Sequence, residues 1–318
     1  MSAFALSAPR RWHDGSPVKP GLEVIKDYSG RDYRTVWQGP RAAFDDRFES
    51  RLVEDLVSSA PGWFLDVGAG YGRLYPLYAR GGRKVVMVDY ALNLLEVAAQ
   101  AHDGEDDVYF VAANAYHLPF RPLTFAAALS VRVFHHMAHP ELFFAELGRV
   151  LGSDAHAVVE YSNKRNALRV LRHGRSALRS DHEAYGDLLF GTHPAFFAEL
   201  AGAAGFTVGQ TRGTGLLSRL VTARTEAAAP LVAALEAVLD RVFGSRDLGP
   251  VTFAELHKAD APAPDVRVGD ELVDILQCPA CAGAVSTAAG GIRCLACTRL
   301  YPQIGSVYDF RHVAPLEP

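Results

Sequence analysis

No stretch of this 318-residue chain approaches the roughly 18 uninterrupted apolar residues that a membrane-spanning helix requires. The N-terminal stretch also lacks an apolar core followed by a small-residue cleavage site, because Arg10, Arg11, His13, Asp14 and Pro17 interrupt it. No secretory signal is therefore expected, and a cytoplasmic location is. Neither sign of charge is in large excess. Lys and Arg number 32 against 36 Asp and Glu, a net −4, so any basic surface must be local. Internal repeats are absent. Cysteine is missing from every position before 278 and then occurs four times, as Cys278, Cys281, Cys294 and Cys297. In a cytoplasmic chain, two Cys-x-x-Cys pairs point to a metal rather than to two disulfides.

What is present has the composition of a globular protein, 49% hydrophobic and 21% charged, long enough for one large domain and a small one or for two of ordinary size. From Gly62 to about Lys258, short β-branched runs alternate with helical patterns, which predicts an α/β fold with a mostly parallel, doubly wound sheet. The runs fall at 64–67, 85–88, 108–112, 125–130, 157–161 and 206–210. Residues 140–151 set Phe144, Leu147 and Leu151 on one helical face, with Pro140 in the first turn and Gly152 as a stop. Residues 192–204 repeat that pattern up to Gly205, and an Ala/Leu helix is expected after Thr225 as far as Phe243, followed by a last strand at 251–258. The expected division is a cover segment at 1–43, a main domain at 44–258 with an insertion at 163–191, a linker at 259–269 rich in Ala and Pro, and a small cysteine domain at 270–318.

The run Phe64-Leu65-Asp66-Val67-Gly68-Ala69-Gly70-Tyr71-Gly72-Arg73 reads as a strand, a tight glycine turn and a helix start. Such glycines allow a sharp turn and let a ligand approach without meeting a Cβ. Dinucleotide enzymes use a similar loop, but their fingerprint wants a glycine where this chain has Arg73. Asp66, two residues ahead of the first glycine, would repel a pyrophosphate and suits a ligand carrying an ammonium group. The second run ends in Asp89 and Tyr90, and an acid at that strand tip can accept hydrogen bonds from both ribose hydroxyls of a nucleoside. The third run ends in Ala112-Ala113-Asn114-Ala115, and the fourth in Ser130-Val131-Arg132-Val133-Phe134-His135-His136.

These strand ends together resemble the class I S-adenosylmethionine (SAM)-dependent methyltransferases, closest to the broad group that includes the ubiquinone and menaquinone biosynthesis enzymes. The likeness covers roughly residues 40–260. It implies a Rossmann-like methyltransferase fold and SAM as co-substrate. By position it assigns Asp66, Gly68 and Gly70 to the methionine part of SAM and Asp89 to the ribose. Asn114, with Ala115, falls to the adenine amine, and Tyr90 to the face of the adenine ring. Asn114 departs from the commoner aspartate, but its side-chain oxygen can still accept from an amine.

SAM brings its own leaving group, so the protein has chiefly to align a nucleophile and, where needed, remove a proton. No Asn/Asp-Pro-Pro-Tyr/Phe motif follows the fourth strand, and both cysteine pairs are committed to metal. These absences argue against adenine or glutamine amino-methylases and against a cysteine-nucleophile mechanism. His135 and His136 are the base candidates, since histidine titrates near neutral pH; a structural packing role for one of the pair fits the sequence equally. Glu160 and Tyr161 are weaker candidates, and Arg73 and Arg132 are possible partners for a carboxylate. Lys164, Arg165, Arg169, Arg172, Arg175 and Arg179 occur with no acid among them, opposite Leu168, Leu171 and Leu178. This predicts a basic amphipathic helix or helical hairpin over the substrate cleft, suited to RNA phosphates, an anionic metabolite or an acidic membrane surface. A solvated helix face offset by Asp181, Glu183 and Asp187 is the other reading.

Cys278-Pro-Ala-Cys281 and Cys294-Leu-Ala-Cys297, spaced by a Gly-rich stretch, can place four thiolates around one zinc ion. Four thiolates leave no open position, so this Zn2+ is expected to be structural. The stretch from Glu271 to Tyr308 resembles the small zinc-ribbon activator proteins of methyltransferases, which implies a built-in activator or substrate-docking module. Three functional readings follow. The first is O- or C-methylation of a small molecule or lipid, with the acceptor unidentified; the second is RNA methylation, with the insertion and ribbon used for docking; the third is a SAM-binding scaffold without catalysis.

Overall fold

The computed structural model describes residues 25–222, 224–243, 248–259 and 268–311. The expectations for residues 1–24 and for most of the 259–269 linker lie outside these. The described strands are β1 (Trp63–Val67), β2 (Lys84–Asp89), β3 (Val108–Ala112), β4 (Phe125–Ser130), β5 (Leu151–Ser162), β6 (His182–Gly186), β7 (Leu189–Thr192), β8 (Phe206–Thr214), β9 (Val251–Lys258), β10 (Val285–Ala288), β11 (Gly291–Cys294), β12 (Leu300–Ile304) and β13 (Val307–Asp309). The helices are α1 (Pro40–Leu56), α2 (Tyr75–Tyr78), α3 (Leu92–Ala101), α4 (Pro140–Val150), α5 (Ala167–His173), α6 (Pro194–Ala203), α7 (Ala229–Phe243) and α8 (Leu272–Ile275). Among the described residues, no helix is long and apolar enough to cross a membrane.

Eleven strands form one sheet in the order β10-β11-β12-β13-β3-β2-β1-β4-β5-β9-β8. The central β3-β2-β1-β4-β5 is parallel, and β9 runs antiparallel to both β5 and β8. All five residues of β1 are buried, as expected for a parallel strand covered by helices on both faces. One face packs Phe134, Phe143, Phe144 and Phe197 into an aromatic core beneath α4 and α6. The other packs Leu52 and Val53 of α1 and Leu95 of α3 against Phe64 and Tyr78. Strand order reverses between β1 and β4, so a crevice opens at their carboxyl ends, the place where doubly wound sheets bind ligands.

The cysteine module is built into this sheet. β13 pairs in parallel with β3, matching Val307, Tyr308 and Asp309 to Phe110, Val111 and Ala112. The Phe310 N–H continues the ladder by donating to the Ala112 carbonyl at 2.7 Å, and the buried Phe310 ring stacks on Tyr301 with centroids 4.5 Å apart.

The insertion at 163–191 is helical only in its first half. Asn166 caps α5 by accepting from the Arg169 N–H, and Gly174, at φ 53°, stops it after two turns. A 3-10 turn and the β6–β7 ribbon follow. That ribbon brings Asp181 and Glu183 back onto buried Lys164, while Glu183 also binds Arg169 at 3.0 Å. Lys164, Arg169 and the more exposed Arg179 are thus paired with acids of the same insertion.

Candidate functional site

A cavity occupies the crevice at the carboxyl ends of β1 to β4. Its floor is the glycine loop. Gly68, Gly70 and Gly72 adopt φ of 79°, 56° and 81°, the left-handed region that favours glycine. A Cβ on Gly68 would in addition collide with Val133. The Gly68 and Ala69 N–H groups donate to the Val88 carbonyl, which lays the loop across the tip of β2.

Asp89 is locked at that tip. One carboxylate oxygen accepts from the Gly70 N–H and the other from the Ala91 N–H, each at 2.8 Å. Burial pushes its carboxyl above the usual range, and these N–H bonds act in the opposite sense. Asp66 lies deeper in the cavity wall and accepts from the buried Tyr78 hydroxyl at 2.5 Å. Burial pushes it up to about 7, against the pull of that hydrogen bond. Asn114 and Ala115 stand at the end of β3. The Asn114 side-chain oxygen already accepts from the Tyr116 N–H at 2.9 Å, which leaves it one lone pair for a ligand. Tyr90 is flanked by Arg311, whose guanidinium lies 5.8 Å over the ring and is braced by Asp309 at 2.7 Å.

The two histidines after β4 part company. His136 faces the cavity, whereas His135 does not line it. His136 Nδ1 lies 2.7 Å from the Leu188 carbonyl, at the turn of the β6–β7 ribbon, and Nε2 lies 2.9 Å from the Tyr28 hydroxyl. A carbonyl can only accept, so Nδ1 carries the proton and Nε2 presents its lone pair to the cavity side. Burial lowers the pKa of His136, which favours the neutral ring. His135 is pushed well below the usual histidine range by burial, with its neighbours His136 and Arg132 adding to the effect. Its nearest acid is Glu160 at 3.8 Å, and burial lifts Glu160 to about 7 despite Arg132. The Arg132 N–H donates to Glu160 at 2.7 Å.

Arg73 and Arg132 converge on Glu49 of α1, one on each carboxylate oxygen. The Trp37 ring lies 3.6 Å from the Arg73 guanidinium and 5.3 Å from that of Arg132. Both arginines line the cavity while paired with Glu49. Tyr28, Tyr33 and Trp37 supply an aromatic lid from a segment the sequence reading treated only as cover. Their signal was three aromatics within ten residues of an otherwise polar stretch.

The four cysteine sulfurs lie within 4.8 Å of one another, with Cys278–Cys297 at 3.7 Å and Cys281–Cys294 at 3.5 Å. A tetrahedral ion with ~2.3 Å bonds to sulfur separates its ligands by about 3.8 Å, so this cluster fits a metal, while a disulfide requires about 2.05 Å. The N–H groups of Ala296 and Cys297 both donate to Cys294 sulfur at 3.4 Å, and Tyr301 hydroxyl lies 3.0 Å from that of Cys278.

Residues 65–159, which run from β1 into β5 and hold the glycine loop and both histidines, match the family described as "Methyltransferase domain". They are a methyltransferase domain. Over 148 residues the chain is 35% identical to a demethylmenaquinone methyltransferase from Renibacterium salmoninarum, which covers 46% of this chain and 56% of that one. Over 116 residues it is 34% identical to the methyltransferase GfsG of Streptomyces halstedii, covering 35% and 42%. The chain thus spans about half the length of the curated relatives it matches. Among solved structures, it superposes on an S-adenosylmethionine-dependent methyltransferase from Listeria monocytogenes over 69% of this chain and all of that one, with 11% identity and a TM-score of 0.52. It likewise superposes on the [4+2]-cyclase SpnF over 78% and 90%, with 23% identity and a TM-score of 0.50. These likenesses give the methyltransferase domain its fold: a mostly parallel, Rossmann-like sheet.

Proposed function

We propose that this chain is a SAM-dependent methyltransferase that methylates an oxygen or carbon of a small-molecule or lipid acceptor, with His136 as the base. The observation that carries the reading is the meeting, in one cavity, of the doubly anchored Asp89 carboxylate and the Nε2 lone pair of His136. When bound, SAM supplies a methyl group on a sulfonium that is its own leaving group.

Asp66, Gly68 and Gly70 would hold the methionine end, Asp89 the ribose hydroxyls, and Asn114 with Ala115 the adenine edge beside Tyr90. Asp66 gains most from an ammonium partner, since a cation nearby restores the ionised form that burial disfavours. His136 Nε2 would take the proton from the acceptor where the Tyr28 hydroxyl now bonds, and the Leu188 carbonyl would hold the tautomer while it does so. His135, with Glu160 behind it, would orient the turn that carries His136 without touching the acceptor.

A lipid or other hydrophobic acceptor fits the insertion better than RNA. Lys164 and Arg169 are used within the fold, while Leu168, Leu171 and Leu178 are exposed beside Arg172 and Arg175. Bare leucine suits an apolar neighbour more than a phosphate backbone. The relatives from Renibacterium and Streptomyces are named as methyltransferases, the first of demethylmenaquinone. For the cysteine cluster we take the metal to be a structural Zn2+, because four thiolates at this spacing saturate a tetrahedral ion. A SAM-binding protein without methyl transfer is the second reading, since a fold neighbour bears the name of a cyclase.

Labelled SAM incubated with fractionated small molecules, lipids, RNA and protein tests all three readings. Label in the small-molecule or lipid fraction, lost with Asp89→Ala, supports the proposal. Label in RNA overturns the acceptor class, and bound SAM with no transfer to any fraction overturns catalysis.

A further inference from the structure

β5 and β9 carry a cluster of donors that the cavity and the cysteine module do not use. His156 of β5 stands directly opposite His257 of β9, and Glu255 is two residues before His257, hence on the same face of the sheet. The two imidazoles meet edge to face with centroids 4.6 Å apart. One donor atom from each of the three side chains lies within 4.8 Å of the others, and His257 Nε2 is 3.5 Å from a Glu255 carboxylate oxygen. A tetrahedral cation with bonds of ~2.0–2.2 Å holds its donors about 3.3–3.6 Å apart. The His257–Glu255 pair already has that separation, and a His156 nitrogen lies within 4.8 Å of both.

The neighbouring strand makes room for this arrangement. β8 has a bulge between Val208 and Thr211, opposite Glu255 and its neighbours. Gly209 sits in that bulge, and a Cβ there would lie 2.6 Å from His257 Nε2 and 3.3 Å from the Glu255 carboxylate. Any other residue at 209 would crowd the His257 ring and force it to shift. Bulges commonly re-aim side chains next to sites. All three donors are half-buried, so the rings are held by the sheet while one side stays open to solvent.

We propose that His156, Glu255 and His257 form a second metal site, for a borderline divalent cation of the zinc, nickel or copper class. Two imidazoles and one carboxylate are the donors such ions prefer, and calcium or magnesium would want oxygen alone. Three protein donors leave at least one position for water or an outside ligand, which sets this site apart from the closed four-sulfur cluster. It would clip β5 to β9 across the sheet. None of the three residues lines the cavity, so the proposal is independent of the methyl-transfer reading.

The test is Co2+ titration of tag-free protein whose cysteine cluster is first loaded with zinc. We expect one further equivalent of Co2+, with d–d absorption and no sulfur-to-cobalt charge-transfer band. His257→Ala and His156→Asn should each abolish that equivalent, and Gly209→Ala should weaken it on the order of tenfold or more. If His257→Ala fails to fold, Glu255→Gln, which keeps the side-chain shape, takes its place and should weaken uptake on the same scale. The absence of a second equivalent, its survival in every variant, or a charge-transfer band showing cobalt bound to sulfur would each overturn the assignment.

Discussion

The hydroxyl of Tyr28 and the Nε2 of His136 stand 2.9 Å apart inside the cavity, with the far nitrogen of the same ring held by the Leu188 carbonyl. Three segments distant in sequence therefore fix one lone pair. A ring held at both nitrogens loses little freedom on reaching the transition state, and preorganisation of this kind is what a general base requires.

His136→Asn is expected to lower kcat by about 10²–10⁴-fold, the usual contribution of a positioned base, while SAM affinity changes little. His135→Asn should cost far less. Steady-state kinetics on the acceptor found by labelling checks both. Because burial lowers the pKa of His136, the base stays neutral through pH 7, and the rate should fall only below the ordinary histidine range near 6.5. A wild-type acid limb at or above that value would count against His136.

Asp89→Ala removes a carboxylate that organises the glycine loop as well as any ribose contact. Charge-assisted hydrogen bonds of this kind contribute ~1.5–3 kcal/mol each, so SAM affinity should fall at least about tenfold by calorimetry. An unchanged affinity would mean that SAM binds elsewhere.

Two buried acids make stability depend on pH. Asp66 and Glu160 each sit at about 7 in the folded chain, above the ordinary carboxylate values near 4. Between those limits the folded state binds more protons than the unfolded one, so stability falls as pH rises from about 4 through 7. Thermal melts of the ligand-free protein should show this trend, and Asp66→Asn should flatten it. Saturating SAM should flatten it too, by supplying a cation to Asp66.

Stripping metal from the cysteine cluster should loosen more than the ribbon. Cys278 touches Tyr301, Tyr301 stacks on Phe310, and β13 delivers Arg311 to Tyr90 at the cavity rim. Chelation is expected to lower Tm and weaken SAM binding together. Arg311→Ala should weaken SAM binding several-fold with the metal retained, a split read by calorimetry alongside metal analysis.

If the insertion meets a lipid surface, Arg172→Glu with Arg175→Glu should abolish sedimentation with anionic vesicles while sparing methylation of a soluble acceptor analogue. Leu171→Ser should weaken vesicle binding at any salt concentration. Vesicle binding that is indifferent to all three changes would remove the insertion from that role.

Much of the central sheet was legible because its strands are buried on both faces and so read as largely apolar runs, unbroken at 85–88 and interrupted at 64–67 only by Asp66. The glycine loop and Asp89 were legible for a related reason: backbone turns and strand tips leave local signatures. What the sequence could not convey were partnerships across long separations. Nothing near Tyr28 announces His136, and nothing near Lys164 says that Asp181 and Glu183 fold back to neutralise it. The parallel pairing of β13 with β3 is equally silent, since Val307, Tyr308 and Asp309 read as the end of a small module.

That last pairing bears on how the chain is made. β13 leaves the ribosome about 200 residues after β3. Until then β3 presents an open row of unpaired N–H and C=O groups, the kind of edge that recruits other strands. A nascent chain with a finished cavity but no ribbon would be adhesive along that side. Pairing with β13 covers that edge and moves the rim of the sheet out to the short strand β10.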